Sequence, residues 1–175
     1  MTPSAPQHYL DDALLSTILL ESKILQAPRL EQILLAAQHH QISLYQYFLK
    51  HGQISDEQIG KLVAEYFQLP FVSLRKRSIP SEIITLLPIS VAQDQGVIVF
   101  DDAQEVLCVA AKTPLSDEVH SHLENLLSRK IKVFLTTLSE FEEALQLYQP
   151  QLVTSLQEVF LNSAGDEVSI STMVE

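Results

Sequence analysis

The sequence predicts a mixed α/β (α+β) fold, in which an N-terminal four-helix module is followed by a small α/β domain with a three- to four-stranded mixed sheet. Two observations carry this. Before Pro70 the apolar residues recur at helical spacing, one buried face per segment. Beyond Pro70, short β-branched runs at 97–100 and 105–111 alternate with capped helical stretches. The chain has 175 residues and 46% hydrophobic content, enough for one domain or two small ones with real cores.

Residues 1–7 hold two prolines and no apolar pattern, and read as a mobile tail. Over about 8–24, Leu10, Leu14, Leu15, Ile18 and Leu19 give a first helix, with Asp11 and Asp12 where the dipole favours negative charge. Pro28, whose missing N–H costs nothing in a first turn, opens a second helix on Leu30, Ile33, Leu34 and Ala37, reaching about residue 40. Leu44, Tyr47, Phe48 and His51 make a third, shorter face that Gly52 terminates in the left-handed region. Ser55 caps the fourth helix. Gln58 completes its S-x-x-Q capping box, and Ile59, Leu62, Val63, Tyr66 and Phe67 form the apolar face. Leu69-Pro70 stops it, closing a helical bundle over 8–70.

The second domain is expected over 71–148. Phe71, Val72 and Leu74 are extended, and Pro80-Ser81 and Pro88 each open a short helical turn, the latter ended by Gly96. Strands at 97–100 and 105–111, with a turn at 101–104, make a hairpin. Ser116 caps a helix to about 129 on Val119, Leu123, Leu126 and Leu127, and residues 131–135 supply a third strand. Ser139 caps a last helix with Phe141, Leu145 and Tyr148 inward. Over 149–175, Leu152, Leu156, Val159 and Phe160 suggest one more amphipathic helix before a polar linker, with further protein expected after it.

Charge and composition exclude several functions. A formal charge of −11 is wrong for phosphate-rich nucleic acid and for an anionic membrane surface. Cys108 is alone, so neither a disulfide framework nor a thiolate metal site can be built within the chain, and its apolar run suits a small buried hydrophobe. No apolar run approaches the roughly 18 residues of a membrane span, and no export signal opens the chain. These features lead to a cytoplasmic protein without direct membrane insertion and with no cofactor.

No constellation for catalysis stands out. Gly60-Lys61 lacks the glycine spacing of a phosphate loop, and Leu62 stands where Ser or Thr must hold magnesium. His39-His40 and His120-x-His122 do not share a helical face, so they read as solvated positions. Tyr45, Tyr47, Phe48, Tyr66, Phe67 and Phe71 form an aromatic-rich set whose ordinary reading is core packing. Arg75-Lys76-Arg77 is the one basic cluster, ordinarily a solvated linker, and functionally a patch that steers an acidic partner.

The span from about Leu14 to Tyr148 resembles the N-terminal region of the type II secretion and type IV pilus assembly ATPases. The phrase G-Q-I-S-D-E-Q-I…F-Q-L-P-F-V-S-L carries the likeness, with PISVA, VIVF, VLCVAAKTP and EFEEAL following in the family's order. The helical half is similar to a module that in some of these proteins binds cyclic di-GMP. That module has two copies of R-L-G-x-x-φ-φ-x-x-G-φ-φ-x-x-x-x-L-x-x-x-L-x-x-Q, where φ is Leu, Ile or Val. On this resemblance the copies begin at Leu14 and Ser43, 29 residues apart.

Carried over position by position, the ligand-gripping residues are mostly gone. In the first copy Arg becomes Leu14, the first Gly becomes Ser16, the second Gly becomes Lys23 and Gln becomes Ala37. In the second, Arg becomes Ser43, the first Gly becomes Tyr45 and Gln becomes Tyr66, while Gly52 stays. The apolar frame survives at Leu15, Leu19, Leu30 and Leu34, and at Leu44, Phe48, Ile59 and Val63. Losing two Arg and two Gln contacts at about 1.5 kcal/mol each removes about 6 kcal/mol, on the order of 10⁴ in affinity. The resemblance therefore implies a non-catalytic docking and regulatory region. Its expected partners are a protein at the inner-membrane platform and a downstream ATPase motor domain, with Tyr45, Tyr66, Arg75, Lys76 and Arg77 as candidate contacts. The alternatives are a cyclic di-GMP-responsive domain and a stand-alone adaptor.

Overall fold

Four helices open the computed structural model, which describes residues 10–148. The expected tail at 1–7 and the expected helix and linker at 149–175 lie outside the described residues. Helix α1 (Asp12–Glu21) is shorter at both ends than the expected 8–24. Asp11 is extended at its N-cap, and Lys23 turns into the left-handed region at φ 56°, which ends the helix before Ile24. Helix α2 (Ala27–His39) carries Pro28 in its first turn. Helix α3 (Leu44–His51) ends at Gly52, φ 61°, and α4 (Asp56–Tyr66) starts on the Ser55 cap with its Gln58 box formed. Helix α1 packs on α3 and α4, and α2 on α3.

The expected strand after Pro70 does not form. Phe71 makes one isolated parallel bridge to Leu135, and the Val72 N–H donates to the Leu135 carbonyl at 2.8 Å. From Leu74 to Lys76 the chain coils into a 3-10 turn, because the Leu74 N–H donates to the Glu140 carboxylate instead of to a strand neighbour. The sheet among the described residues is therefore three-stranded. Helices α5 (Ser81–Ile84) and α6 (Ile89–Gln95) lead into it, with Gly96 at φ 67° making the corner.

Strand β1 (Val97–Ala103) runs through the expected turn, which shrinks to Gln104 and Glu105. Asp101 and Asp102 stay in the ladder opposite Cys108 and Leu107, after a bulge between Val99 and Asp101. Their carboxylates are compatible with a strand because Arg77 pairs with Asp101 and Arg129 with Asp102. Strand β2 (Val106–Ala111) is antiparallel to β1 and parallel to β3 (Lys130–Leu135), so the sheet is mixed in the order β1-β2-β3. The parallel step requires a crossover, supplied by α7 (Asp117–Leu127) on its Ser116 cap. On α7, Leu123 is buried but Leu126 is 46% exposed, contrary to the expected inward stripe. The last helix, α8 (Leu138–Leu145), is capped by Thr137, not Ser139. Thr137 is the extended residue after β3, and its Oγ1 accepts the Glu140 N–H. Phe141 and Tyr148 are buried and Leu145 is half-buried.

One apolar cluster runs from Leu10 to Tyr148, across the sequence's division at residue 70. The contact that joins the two sides is at Gly60, in the middle of α4. A Cβ there would lie 2.6 Å from the Phe71 ring and 2.7 Å from the Thr137 methyl. The absence of a side chain lets the helix settle onto the bridge segment and the start of α8. Gly60→Ala sets a helix-propensity gain of about 1 kcal/mol against overpacking of about 1–3 kcal/mol. Thr137 is buried and the half-buried Phe71 is tied by its bridge to Leu135, so overpacking wins. Urea unfolding is expected to show a net loss of up to about 2 kcal/mol.

Candidate functional site

The two motif copies are visible as geometry. Helices α2 and α4 begin 29 residues apart, at Ala27 and Asp56, and Lys23 and Gly52 hold the same left-handed turn at φ 56° and 61°. Leu15 and Leu44, Leu19 and Phe48, and Leu30 and Ile59 are buried at equivalent places. A lysine where the second copy has glycine places a Cβ in a conformation that costs an L-residue roughly 1–2 kcal/mol.

Of the eight motif positions of the resembled module, Gly52 is kept and the other seven have other occupations here. Leu14 is half-buried against the core, and the Ser16 hydroxyl donates to its own helix at the Asp12 carbonyl. Ala37 is buried. Ser43 is the N-cap of α3, its Oγ accepting the Gln46 N–H while Gln46 Oε1 accepts the Ser43 N–H. This second capping box has the same S-x-x-Q spacing as the one at Ser55 and was equally available in the sequence. Asp12 Oδ1 adds a cap from a distance, accepting the Leu44 N–H at 2.8 Å.

Tyr45 corrects the expectation that it faces a partner. It is only 6% exposed, and its hydroxyl donates to Asp56 Oδ1, tying α3 to the first turn of α4. A hydrogen bond to a charged acceptor contributes roughly 1.5–3 kcal/mol, so this aromatic is a structural tie. Tyr66 differs. It is 40% exposed, meets Phe67 edge-to-face at 5.1 Å, and lines an open cleft of about 290 Å³ with Ile18, Glu21, Ser22, Leu62 and Glu65. Sequence reasoning missed this cleft. Its signal was Glu21 and Glu65 in the last turns of α1 and α4, where the helix dipole disfavours a carboxylate.

The basic cluster binds its own chain. Arg75 makes a two-pronged contact with Glu143 of α8, Lys76 reaches both oxygens of Glu57 on α4 at 2.9 and 3.0 Å, and Arg77 pairs with Asp101 at 3.7 Å and lies over the Phe100 ring. Each cation is matched by a carboxylate, which leaves little free positive field to steer an acidic partner. Beneath them Glu140, 3% exposed, accepts the Ser73 hydroxyl at 2.8 Å and the Leu74 N–H. Residues 73–77 are thus strapped to α4, β1 and α8 together.

The remaining candidates have ordinary settings. Cys108 is buried in β2, where burial pushes its thiol pKa up. His39, His40 and His122 are exposed. Among the described residues no group of three or more His, Cys, Asp or Glu side chains is placed to hold a metal ion. Among the described residues no helix is long and apolar enough to cross a membrane.

A family model for the MshEN domain matches residues 67–155, about half of the chain. The type IV pilus assembly ATPase PilB of Thermus thermophilus is 28% identical over 145 residues, covering 81% of this chain and 16% of that protein. The chain therefore spans about a sixth of that curated relative's length. Among solved structures, MshE with cdg (cyclic di-GMP) superposes with a TM-score of 0.57 at 21% identity, covering 77% of this chain and 97% of that one. The N-terminal domain of XpsE superposes with a TM-score of 0.51 at 16% identity, covering 82% and 98%. At these identities the structural likeness establishes the fold.

Two outcomes follow from the turns and straps. Lys23→Gly is expected to stabilise the chain by about 0.5–1 kcal/mol in urea unfolding, relieving the left-handed turn. Hydrogen bonds from Lys61 and Lys76 hold the Glu57 carboxyl down to about 2 from 4.5. Arg75 lowers Glu143, Arg129 lowers Asp102, and the Ile131 N–H lowers Glu124. A depressed carboxyl stabilises the fold above its unfolded pKa, and that contribution is lost as pH falls through the folded one. The melting temperature is therefore expected to be level above about pH 4.5 and to fall progressively towards pH 2, with the Glu57 share absent in Lys61→Met/Lys76→Met.

Proposed function

Because this chain belongs to the MshEN domain family, we propose that it serves as a non-catalytic docking and regulatory N-terminal region of a type IV pilus assembly or type II secretion ATPase. In this reading it acts in the cytoplasm and reaches the inner membrane through its partners. It binds a cytoplasmic component of the membrane platform and passes position on to a downstream motor. The observation that carries the reading is the fate of the repeat: the apolar frame is intact while Leu14, Ala37, Ser43 and Tyr66 stand where the resembled module has its Arg and Gln donors.

The fold likeness to MshE with cyclic di-GMP favours a second reading, a dinucleotide-responsive domain. Charge opposes it. Tyr66, at one of the former Gln positions, shares its cleft with Glu21 and Glu65, and two phosphates beside two carboxylates repel. The third reading is a stand-alone adaptor. A glycine-rich phosphate loop encoded downstream of Glu175 separates motor from adaptor.

Biolayer interferometry against the cytoplasmic domains of inner-membrane platform proteins tests docking. Saturable binding to one of them is expected, and failure with all of them removes the docking role. Calorimetry with cyclic di-GMP is expected to show no binding in the low micromolar range or tighter. A dissociation constant in that range would establish the dinucleotide reading instead.

A further inference from the structure

The docking role, on which this inference rests, leaves open what chemistry the partner brings. We propose that the cleft between the last turns of α1 and α4 takes a lysine- or arginine-bearing amphipathic helix of a partner protein. Ile18 and Leu62 supply its apolar lining, Tyr66 supplies an amphipathic ring, and Glu21 and Glu65 rim it. At about 290 Å³ the opening falls just below the roughly 300–1,000 Å³ usual for small-molecule sites, and it suits a few anchoring side chains of a larger partner.

The electrostatics select the sign of the partner. Among the described residues neither the Glu21 nor the Glu65 side chain has an ion-pair or hydrogen-bond partner, although Glu57, Glu124, Glu143, Asp101 and Asp102 are all paired with basic side chains. The helix ends make the imbalance larger. Helix α2 carries His39 in its last turn and α3 carries Lys50 and His51, but α1 and α4 carry no basic residue there. Each C-terminus presents roughly half a negative charge. Two carboxylates and two helix ends of the same sign therefore converge beside an apolar lining, and among the described residues no cation forms an ion pair with either carboxylate. An anionic or purely apolar occupant leaves that repulsion in place, whereas a cationic side chain relieves it.

The probe is a fluorescein-labelled peptide helix with one leucine face and one lysine face, titrated into the 175-residue chain at low salt and followed by anisotropy. The same peptide with glutamine for lysine is the uncharged comparison. Glu21→Gln/Glu65→Gln is expected to weaken the lysine peptide about ten-fold and to flatten its salt dependence. Asp117→Asn/Glu118→Gln, at the exposed start of α7, is expected to leave it unchanged. Amide shifts in the unaltered chain are expected at Ser22 and Tyr66. Equal weakening by both double variants would mean diffuse attraction to an acidic surface and would overturn the proposal. So would an unchanged affinity in Glu21→Gln/Glu65→Gln, equal binding of the glutamine peptide, or cyclic di-GMP shifting Tyr66 in place of the peptide. A platform protein that binds the chain regardless of Glu21→Gln/Glu65→Gln removes the cleft and leaves docking standing. Absence of any platform binding by the unaltered chain removes docking itself.

Discussion

The approach of α4 to Phe71 and Thr137 at Gly60 is the constraint on which the arrangement depends. Interiors pack at crystal-like density, so a helix that comes this close fixes whatever lies on both sides of it. Phe71 is held by its bridge to Leu135, and Thr137 caps α8, so the position of α4 sets the positions of β3 and α8 together. Glu140 then captures Ser73 and Leu74, and Arg75, Lys76 and Arg77 bind three different elements. Each exposed pair contributes about 0–1 kcal/mol. Their value is geometric, since they aim one short segment at α4, β1 and α8 at once.

Much of the fold was legible because local signals agreed with the tertiary result. The caps at Ser55 and Ser116, the glycine turns at Gly52 and Gly96, and the change of period near Pro70 all depend on residues within a few positions of one another. What was not legible depended on distant partners. The stretch after Pro70 reads as a strand, but Glu140, 66 residues away, takes the Leu74 donor. Asp101 and Asp102 read as a turn because the arginines that pair with them come from positions 77 and 129. Leu126 reads as inward on spacing alone, yet its side chain is exposed while Leu123 and Leu127 take the packing against the core.

The candidate site divided the same way. Recognition of the paired motif made the missing dinucleotide donors visible at once, since each absence is a single residue. The fate of the two tyrosines was not visible. Both replace ligand positions and both are amphipathic, but Asp56 lies within reach of Tyr45 and buries its ring, whereas Tyr66 is the last residue of α4 and stays at the surface. Glu21 and Glu65 look like ordinary solvating acids until the helices bring their last turns together.

The two helical hairpins share a design but not a hinge residue. Gly52 adopts its turn without penalty, while Lys23 adopts the equivalent turn against the preference of its side chain. The N-terminal hairpin is therefore the more readily frayed of the pair, and with it the wall of the cleft that α1 provides. A surface whose one side loosens before the other can adjust its width to an incoming helix while the rest of the module, strapped to the sheet, keeps its shape.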